Sequence, residues 1–509
     1  MTHPDPRGVR GPRDRVTLIT VAVAALINVL SAPAEMYPGD PRAIRAEAVH
    51  LLTTGEWGVP ASLAKRAGER GQYFFENVER GRWFPKYGIL NTLLYVPVLA
   101  VERLATGRLP YVESPLRVPL LNLFNILLAG ALAFYLIRIG RLYAGHPVAL
   151  CFFVMAVFYS TFLWNYLRAQ SSEIYQVLLF AVCYYHLTRH LRAAAGASGR
   201  GSQRHLLGAS LAIGALVLVK TAYGALLPIV GGMACWAAWR GEDAKATPLG
   251  WRWRPLFLYL AAPLALTLVV LGAANELRFG SPFTSGYAQW ARERDFLSGS
   301  LATAAWGYLV SPHGSVLTHF PPLLLALLGW PAFFRRHPRE AWTLVLVTLA
   351  MFLVNGKFVN WRGENCYGPR YMLFVLPLLS LPLLLLLERV IEEWRAKRPH
   401  RRLAAALGGI AAAALLGLSA WAQVGVNSLP FLSFYQARVQ FVAERPEPQV
   451  AEYFARESFG NVGWDLIHLK RGRRQGSFAE TVAPPDEGHL AYFSERHLDS
   501  NYYWFPGWP

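Results

Sequence analysis

Charge is scarce in this chain: Asp, Glu, Lys and Arg make up 16% of its 509 residues, while 54% are hydrophobic. That balance excludes an ordinary soluble domain. Cysteine is scarce as well, with Cys151, Cys183, Cys235 and Cys366 showing no paired metal-ligand spacing and the first three falling inside apolar runs. That pattern argues against a structural disulfide framework and against a Cys-based metal site. Acidic residues are the rarer sign, 32 against 50 basic ones, for a net charge of +18. In a soluble chain that excess would suggest nucleic acid, but here the basic residues collect in short loops between apolar runs, where they set membrane orientation. No nucleic-acid partner is expected. No internal repeat is visible, which counts against transporter folds built from duplicated halves. No small-residue cleavage site and soluble domain follow the run Val16 to Pro33, which is preceded by Arg7, Arg10, Arg13 and Arg15. It reads as a retained first helix.

What the chain has instead is apolar stretches close to the ~20 residues that carry a helix across a bilayer. The fold class is an all-α polytopic membrane protein with eleven expected spans: 16–33, 118–137, 147–164, 174–190, 206–219, 222–239, 256–275, 320–334, 341–357, 371–388 and 403–424. Gly88 to Leu104 is left out of that list. It is short, contains Pro97, and is followed by Arg103, Arg108 and a polar stretch to Arg117. Counting it as a span would put Arg189/Arg192/Arg200/Arg204 and Arg240/Lys245/Arg252/Arg254 outside; leaving it as an interfacial or re-entrant helix puts them inside. The same parity places Arg138/Arg141, Arg335/Arg336/Arg339 and Arg395 to Arg402 in the cytoplasm. The transmembrane domain then covers 1–424, with a large first external loop at 34–117, and a small extracytoplasmic region broken by prolines follows at 425–509.

The external loops hold the unusual residues. In Gly39-Asp40-Pro41-Arg42-Ala43-Ile44-Arg45-Ala46-Glu47, Asp followed by Pro is how an ordinary helix begins, and it also sets a carboxylate at the membrane surface as a candidate catalytic base. Positions 40 and 47 lie two turns apart and share a face, so Asp40 and Glu47 offer a carboxylate pair with Arg45 nearby, or simply a solvated helix surface. Lys86, in Trp83-Phe84-Pro85-Lys86-Tyr87-Gly88, either meets a lipid phosphate or snorkels at a membrane edge. Glu173 follows Asn165 to Ser172 and begins the fourth span, where a carboxylate also suits a helix N-terminus. Lys220 lies between two apolar runs on the sparsely basic outer side and calls for a partner, an anionic headgroup or a nearby acid. His313 is the titratable group of the loop at 276–319, or merely a solvated one. In the loop at 358–370, Arg370 offers a fork suited to phosphate, or an interface anchor alongside Trp361 and Tyr371.

Taken in order, the motifs resemble something. Gly39-Asp40, Lys86-Tyr87-Gly88, Asn275-x-x-Arg278-Phe279-Gly280-Ser281-Pro282 with Gly286-Tyr287, and Trp361-Arg362-Gly363-x-x-x-Tyr367-Gly368-Pro369-Arg370-Tyr371 resemble the GT-C superfamily. These are polytopic glycosyltransferases related to the protein O-mannosyltransferases and the lipid A aminoarabinose transferase. The resemblance covers most of residues 30 to 380 and is most specific at 275–287 and 361–371.

It implies interfacial helices in the first loop, and transfer of a sugar from a polyprenyl-phosphate donor to a glycan, lipid or protein acceptor at the extracytoplasmic face of the inner (plasma) membrane. By that resemblance Asp40 accepts the acceptor's proton and Glu173 positions hydroxyls. Lys86 and Arg370 stabilise the phosphate leaving group, and Lys220, from its own position on the outer side, is expected as a further contact to the donor phosphate. Glu47, Arg45, Tyr87, His313, Trp361 and Tyr371 line the substrate. No metal or cofactor is called for, since cationic side chains can carry the leaving-group charge. Relatives often carry two adjacent acids where this chain has Asp40-Pro41, which leaves a two-carboxylate mechanism resting on Glu47. Aromatics such as Tyr37, Trp57, Trp83 and Trp290 either stack on sugars or belong to a membrane belt. A flippase of lipid-linked sugars would share the phosphate contacts but needs charges at the midplane of its spans; a noncatalytic assembly subunit needs none of the external acids.

Overall fold

The computed structural model describes residues 12–33, 40–67, 73–107, 114–194, 199–240, 249–293, 297–310, 315–358, 361, 367–395 and 399–427. His313, Tyr37 and all but the first three residues of the expected tail at 425–509 lie outside the described residues.

The chain opens with α1 (Pro12–Leu30), α2 (Asp40–Thr54), α3 (Ala61–Ala67), the strands β1 (Phe74–Asn77) and β2 (Arg82–Pro85), and α4 (Ile89–Thr106). The bundle continues through α5 (Arg117–Gly140), α6 (Pro147–Tyr159), α7 (Leu163–Arg168), α8 (Ser172–Ala194), α9 (Gly199–Val219), α10 (Leu227–Arg240), α11 (Leu249–Leu256) and α12 (Ala262–Phe279). It closes with α13 (Gly286–Glu293), α14 (Leu301–Leu309), α15 (Val316–His319), α16 (Pro322–Arg336), α17 (Pro338–Gly356), α18 (Leu376–Leu379), α19 (Pro382–Arg395) and α20 (Pro399–Asn427). The main core, rich in Phe, Tyr and Leu, joins α5, α6, α8, α9, α16 and α17. The segment between α1 and α5 has a core of its own, in which Ile44, Ala48, Phe74, Tyr95 and Leu99 bring α2, β1 and α4 together.

Among the described residues, seven helices are long and apolar enough to cross a membrane, and two shorter apolar ones cover Arg15–Leu30 and Pro147–Tyr159. The chain is a multi-pass membrane protein. Helical segments lie within each of the eleven expected ranges, but 147–164, 222–239, 256–275 and 371–388 each combine more than one helical element, 222–239 being the 3-10 turn Thr221–Leu226 followed by α10. The expected span 371–388 is divided into a 3-10 turn at Arg370–Met372, α18 and α19, with Pro377 and Pro382 each opening a new helix. The expected span 147–164 ends as α6 at Tyr159, and α7 follows.

The expectation of an all-α chain is corrected in the first loop, where β1 and β2 form an antiparallel hairpin pairing Phe74 with Pro85. Its turn is set by Asn77, whose side chain accepts from the Arg80 N–H, and by Gly81 at φ 59°.

The bundle has two chemically distinct ends. At one, Arg141 reaches Thr17 (2.5 Å), Arg192 reaches the Leu142 carbonyl (2.6 Å) and Glu340 (3.0 Å), and Arg395 reaches His146 (2.9 Å). At the other, Asn122 donates to the Pro33 carbonyl (2.9 Å) and Arg168 to Asn427 (2.8 Å), so the far ends of α1, α5, α7 and α20 meet there.

Helix α4 is one of the seven apolar helices, with 18 residues, so the shortness argued from its sequence does not set it apart. Its contacts do. Asn91, near its start, donates to the Val219 carbonyl at the end of α9 (2.7 Å), and Glu102, near its finish, pairs with Arg117 at the start of α5 (3.0 Å). Both ends of α4 are tied to the same end of the bundle.

Candidate active site

Helix α2 opens on Asp40 with Pro41 behind it, and the Asp40 carboxylate is held by two donors. The Tyr87 hydroxyl donates to Oδ1 at 2.5 Å and Arg370 Nη1 to Oδ2 at 3.2 Å. The same Nη1 lies 3.4 Å from Oε1 of Glu173 in the first turn of α8. One guanidinium therefore joins two carboxylates from loops 133 residues apart in sequence. The Asp40 side chain is 24% exposed, against 8% for Arg370 and 8% for Glu173, so Asp40 is the most exposed of the three.

Local sequence fixes Arg370. Gly368 takes φ 68°, and a Cβ there would lie 2.5 Å from the Phe162 ring. Glycine is thus required both by conformation and by space, and Pro369 then feeds the 3-10 turn that aims Arg370 inward.

Lys220 occupies the extended joint between α9 and the 3-10 turn Thr221–Leu226, and its ammonium stands 4.0 Å above the Tyr371 ring and 5.7 Å from that of Tyr287. Burial and the Arg370 charge push its pKa down to about 8, against the pull of Glu173 and Asp40. Lys86 lies on Trp290, 3.8 Å from ammonium to ring, with Tyr73 and Tyr87 at 5.4 and 5.6 Å. Burial raises the Asp40 pKa, but Arg370, Lys86 and the Tyr87 hydroxyl outweigh it and hold the carboxyl below its ordinary value. Burial and the Asp40 charge push the Tyr87 phenol well up, which keeps it a donor.

Of the residues singled out in sequence, Asp40, Tyr87, Lys86, Glu173, Lys220, Arg370 and Tyr371 are brought together. Glu47 and Arg45 are not part of this cluster. Glu47 shares a helix face with Asp40, but seven residues is roughly 10 Å along a helix, and at that distance it meets a different cation. Its Oε2 accepts from Thr92 at 2.5 Å and lies 3.4 Å from Arg278, with the side chain fully buried. Burial raises its pKa. No Asp40–Glu47 carboxylate pair forms. Arg45 is buried and hydrogen-bonds Tyr95, whose hydroxyl donates to the Gln170 carbonyl.

Trp361 packs on α14, where Tyr308 donates to its carbonyl and a Cβ on Gly307 would lie 2.0 Å from its ring. It braces α14 instead of lining the charged cluster. Tyr287 and Tyr73 stand in the site without having been singled out as site residues, Tyr287 only within the quoted Gly286-Tyr287 motif, while Trp290, one of the aromatics offered for sugar stacking or a membrane belt, lies under the Lys86 ammonium. Among the described residues, no three His, Cys, Asp or Glu side chains converge as metal ligands.

The fold is that of the GT-C membrane glycosyltransferases. The chain superposes on the oligosaccharyltransferase AglB of Archaeoglobus fulgidus, solved in complex with an inhibitory peptide and a dolichol-phosphate, with a TM-score of 0.51 and 13% identity over 87% of this chain and 60% of that one. It superposes on ArnT of Cupriavidus metallidurans, bound to undecaprenyl phosphate, with a TM-score of 0.51 and 13% identity over 96% of this chain and 86% of that one. It therefore spans less than two thirds of the oligosaccharyltransferase and most of ArnT. No protein-family model matches the chain, and no curated protein matches it in sequence.

Proposed function

We propose that the protein is an integral-membrane glycosyltransferase that moves a sugar from a polyprenyl-phosphate donor to an acceptor hydroxyl at the extracytoplasmic face of the inner membrane. The observation that carries this reading is the charged cluster at one end of the bundle: Asp40 and Glu173 interact with Arg370, Lys86 and Lys220, two carboxylates against three cations. A surplus positive charge beside an accessible carboxylate is what attack by a hydroxyl on a phosphate-linked sugar needs. The two solved structures of like fold hold dolichol-phosphate and undecaprenyl phosphate, which supports a lipid phosphate as the donor's leaving group. The basic residues at the opposite end support an extracytoplasmic site, and the anchoring of both ends of α4 supports an interfacial helix on which the sugar would be presented.

In this reading the acceptor oxygen attacks the anomeric carbon, its proton passes to Asp40, and the bond from that carbon to the phosphate oxygen breaks. The electron pair leaves with the polyprenyl phosphate, whose added charge falls among Lys86, Arg370 and Lys220. A unit charge stabilised by a cation at ~4 Å gains about 4 kcal/mol at an effective dielectric near 20, so losing one cation is a large effect.

Replacing Asp40 by Asn keeps the shape and removes the base. In proteoliposomes supplied with polyprenyl-phosphate sugars, transfer is expected to fall by roughly 10²- to 10⁴-fold, the usual share of a general base, while polyprenyl-phosphate binding persists. Undiminished transfer would remove Asp40 from the chemistry, and lipid flipping without a glycoside product would favour a flippase.

A further inference from the structure

We propose that Arg278, paired with Glu47, is a positioning residue: it fixes the backbone on both sides of Lys86 and so sets where the Lys86 ammonium meets the donor phosphate. This rests on the reading of Lys86 as a phosphate contact.

The geometry is a clamp. Arg278 Nη1 donates to the Tyr87 carbonyl at 2.6 Å and Nη2 to the Pro85 carbonyl at 2.7 Å, so one planar fork spans the residue between them. A lysine carries all its donors on one nitrogen and lacks this planar fork. Glu47 lies against the same Nη2 at 3.4 Å, and Thr92 on α4 holds that carboxylate oxygen at 2.5 Å. The pair is almost fully buried, 2% and 0% exposed. Such burial costs desolvation that an apolar pair would avoid, so its return lies in what the fork holds.

Other contacts fix the same backbone. The Lys86 N–H donates to the Tyr73 carbonyl at 3.0 Å. Gly286 passes so close that a Cβ there would lie 2.4 Å from the Lys86 Cα, and a Cβ on Gly88 would lie 2.1 Å from the Leu218 carbonyl oxygen. Gly280, at φ 72°, ends α12 and turns the chain back so that Gly286 can reach Lys86. The segment Asn275 to Tyr287 thus meets the backbone around Lys86 at two points, Arg278 and Gly286. Arg278 gives its terminal nitrogens to the chain's own carbonyls and to Glu47, as a residue acting through another does.

The test is a double-mutant cycle on the purified full-length protein in detergent, with undecaprenyl monophosphate as the probe. Lys86→Met and Arg278→Lys are each expected to weaken binding by about tenfold, and the double variant by no more than about twofold beyond Lys86→Met, as coupled residues behave. A purely structural role gives multiplicative losses and a lower melting temperature without coupling, which overturns the positioning assignment while leaving Lys86 on the phosphate. Unchanged binding in Lys86→Met overturns the phosphate reading and this inference with it. Where Arg278→Lys fails to fold, Glu47→Gln carries the same cycle. It keeps an acceptor for Arg278 and is expected to show the same coupling at about threefold.

Discussion

Lys220 shows at the scale of one residue how burial and charge combine into a measurable property. Its pKa of about 8 places the loss of its proton just above neutrality, where an ordinary lysine stays charged. The sign follows directly. Below about 8 the ammonium is present and adds to the attraction for a phosphate; above it the amine is neutral and that attraction is lost. The phosphate's own second ionisation, near ~6, is complete in this range and contributes no opposing change. Affinity for undecaprenyl phosphate is therefore expected to fall up to about tenfold per pH unit above about 8, and Lys220→Met should bind more weakly with a flatter profile. A Lys220→Met profile as steep as that of the unaltered protein would assign the titration elsewhere. Asp40 adds no titration near neutrality, since its pKa lies below the ordinary carboxylate value.

The meeting of Asp40, Glu173, Lys220 and Arg370 was legible in the sequence because each lies at a loop on one side of the apolar runs. Glu47 was misplaced, because helical spacing says which residues share a face and not what that face meets. Arg278 was quoted within a motif, yet its fork on the carbonyls beside Lys86 depends on chain folding across 191 residues.

At the scale of elements, the join between α4 and α9 decides whether Lys86 and Lys220 stay in register. Gly88 lies against the last turn of α9, and Asn91 bonds both the Gly88 carbonyl (3.1 Å) and the Val219 carbonyl (2.7 Å), one residue before Lys220. A Cβ at Gly88 would lie 2.1 Å and 2.5 Å from the backbone oxygens of Leu218 and Val219. Backbone atoms at that distance cannot yield as a flexible side chain can. Gly88→Ala is expected to destabilise the protein by about 1–3 kcal/mol, the usual cost of overpacking, and to reduce transfer as well. Gly107→Ala, at the other end of the same helix, meets nothing within 4 Å and strains only its φ of 64°. It should lower the melting temperature slightly and leave transfer near the unaltered level. Equal losses from both would show that the Gly88 contact does not set the site.

Helix positions were readable from apolar runs, whereas breaks within them were less so. Pro377 and Pro382 divide an expected span because each lacks the N–H that continues a helix. The β1–β2 hairpin escaped because four-residue strands carry too little alternation to stand out.

At the scale of the whole molecule, the distribution of charge gives the bundle a direction. Arg138, Arg141, Arg192, Arg339 and Arg395 gather at one end, where they meet Tyr185, Thr17, Glu340, Trp236 and His146. Asp40, Glu173 and Lys220 occupy the other. By the positive-inside tendency the first end is expected in the cytoplasm and the site outside, and it was this parity, together with the shortness of the segment and its Pro97, that argued α4 out of the spans. Hydropathy alone counts α4 among the crossing helices; its tethers to Val219 and Arg117 favour a helix lying along one face.

Three reporters separate these cases in a background with Cys151, Cys183, Cys235 and Cys366 replaced. Val78 precedes α4 and is 83% exposed, Leu104 lies in its last turn and is 86% exposed, and Arg336 is exposed at the basic end. A membrane-impermeant maleimide applied to intact spheroplasts should label Val78→Cys and Leu104→Cys, and should label Arg336→Cys only in inverted vesicles. Labelling of Val78→Cys and Leu104→Cys from opposite faces would make α4 a span and reverse every later assignment of side. Labelling of all three from the faces opposite to those expected would turn the bundle over and put the Asp40 cluster in the cytoplasm, where a cytoplasmic donor and acceptor would have to be sought.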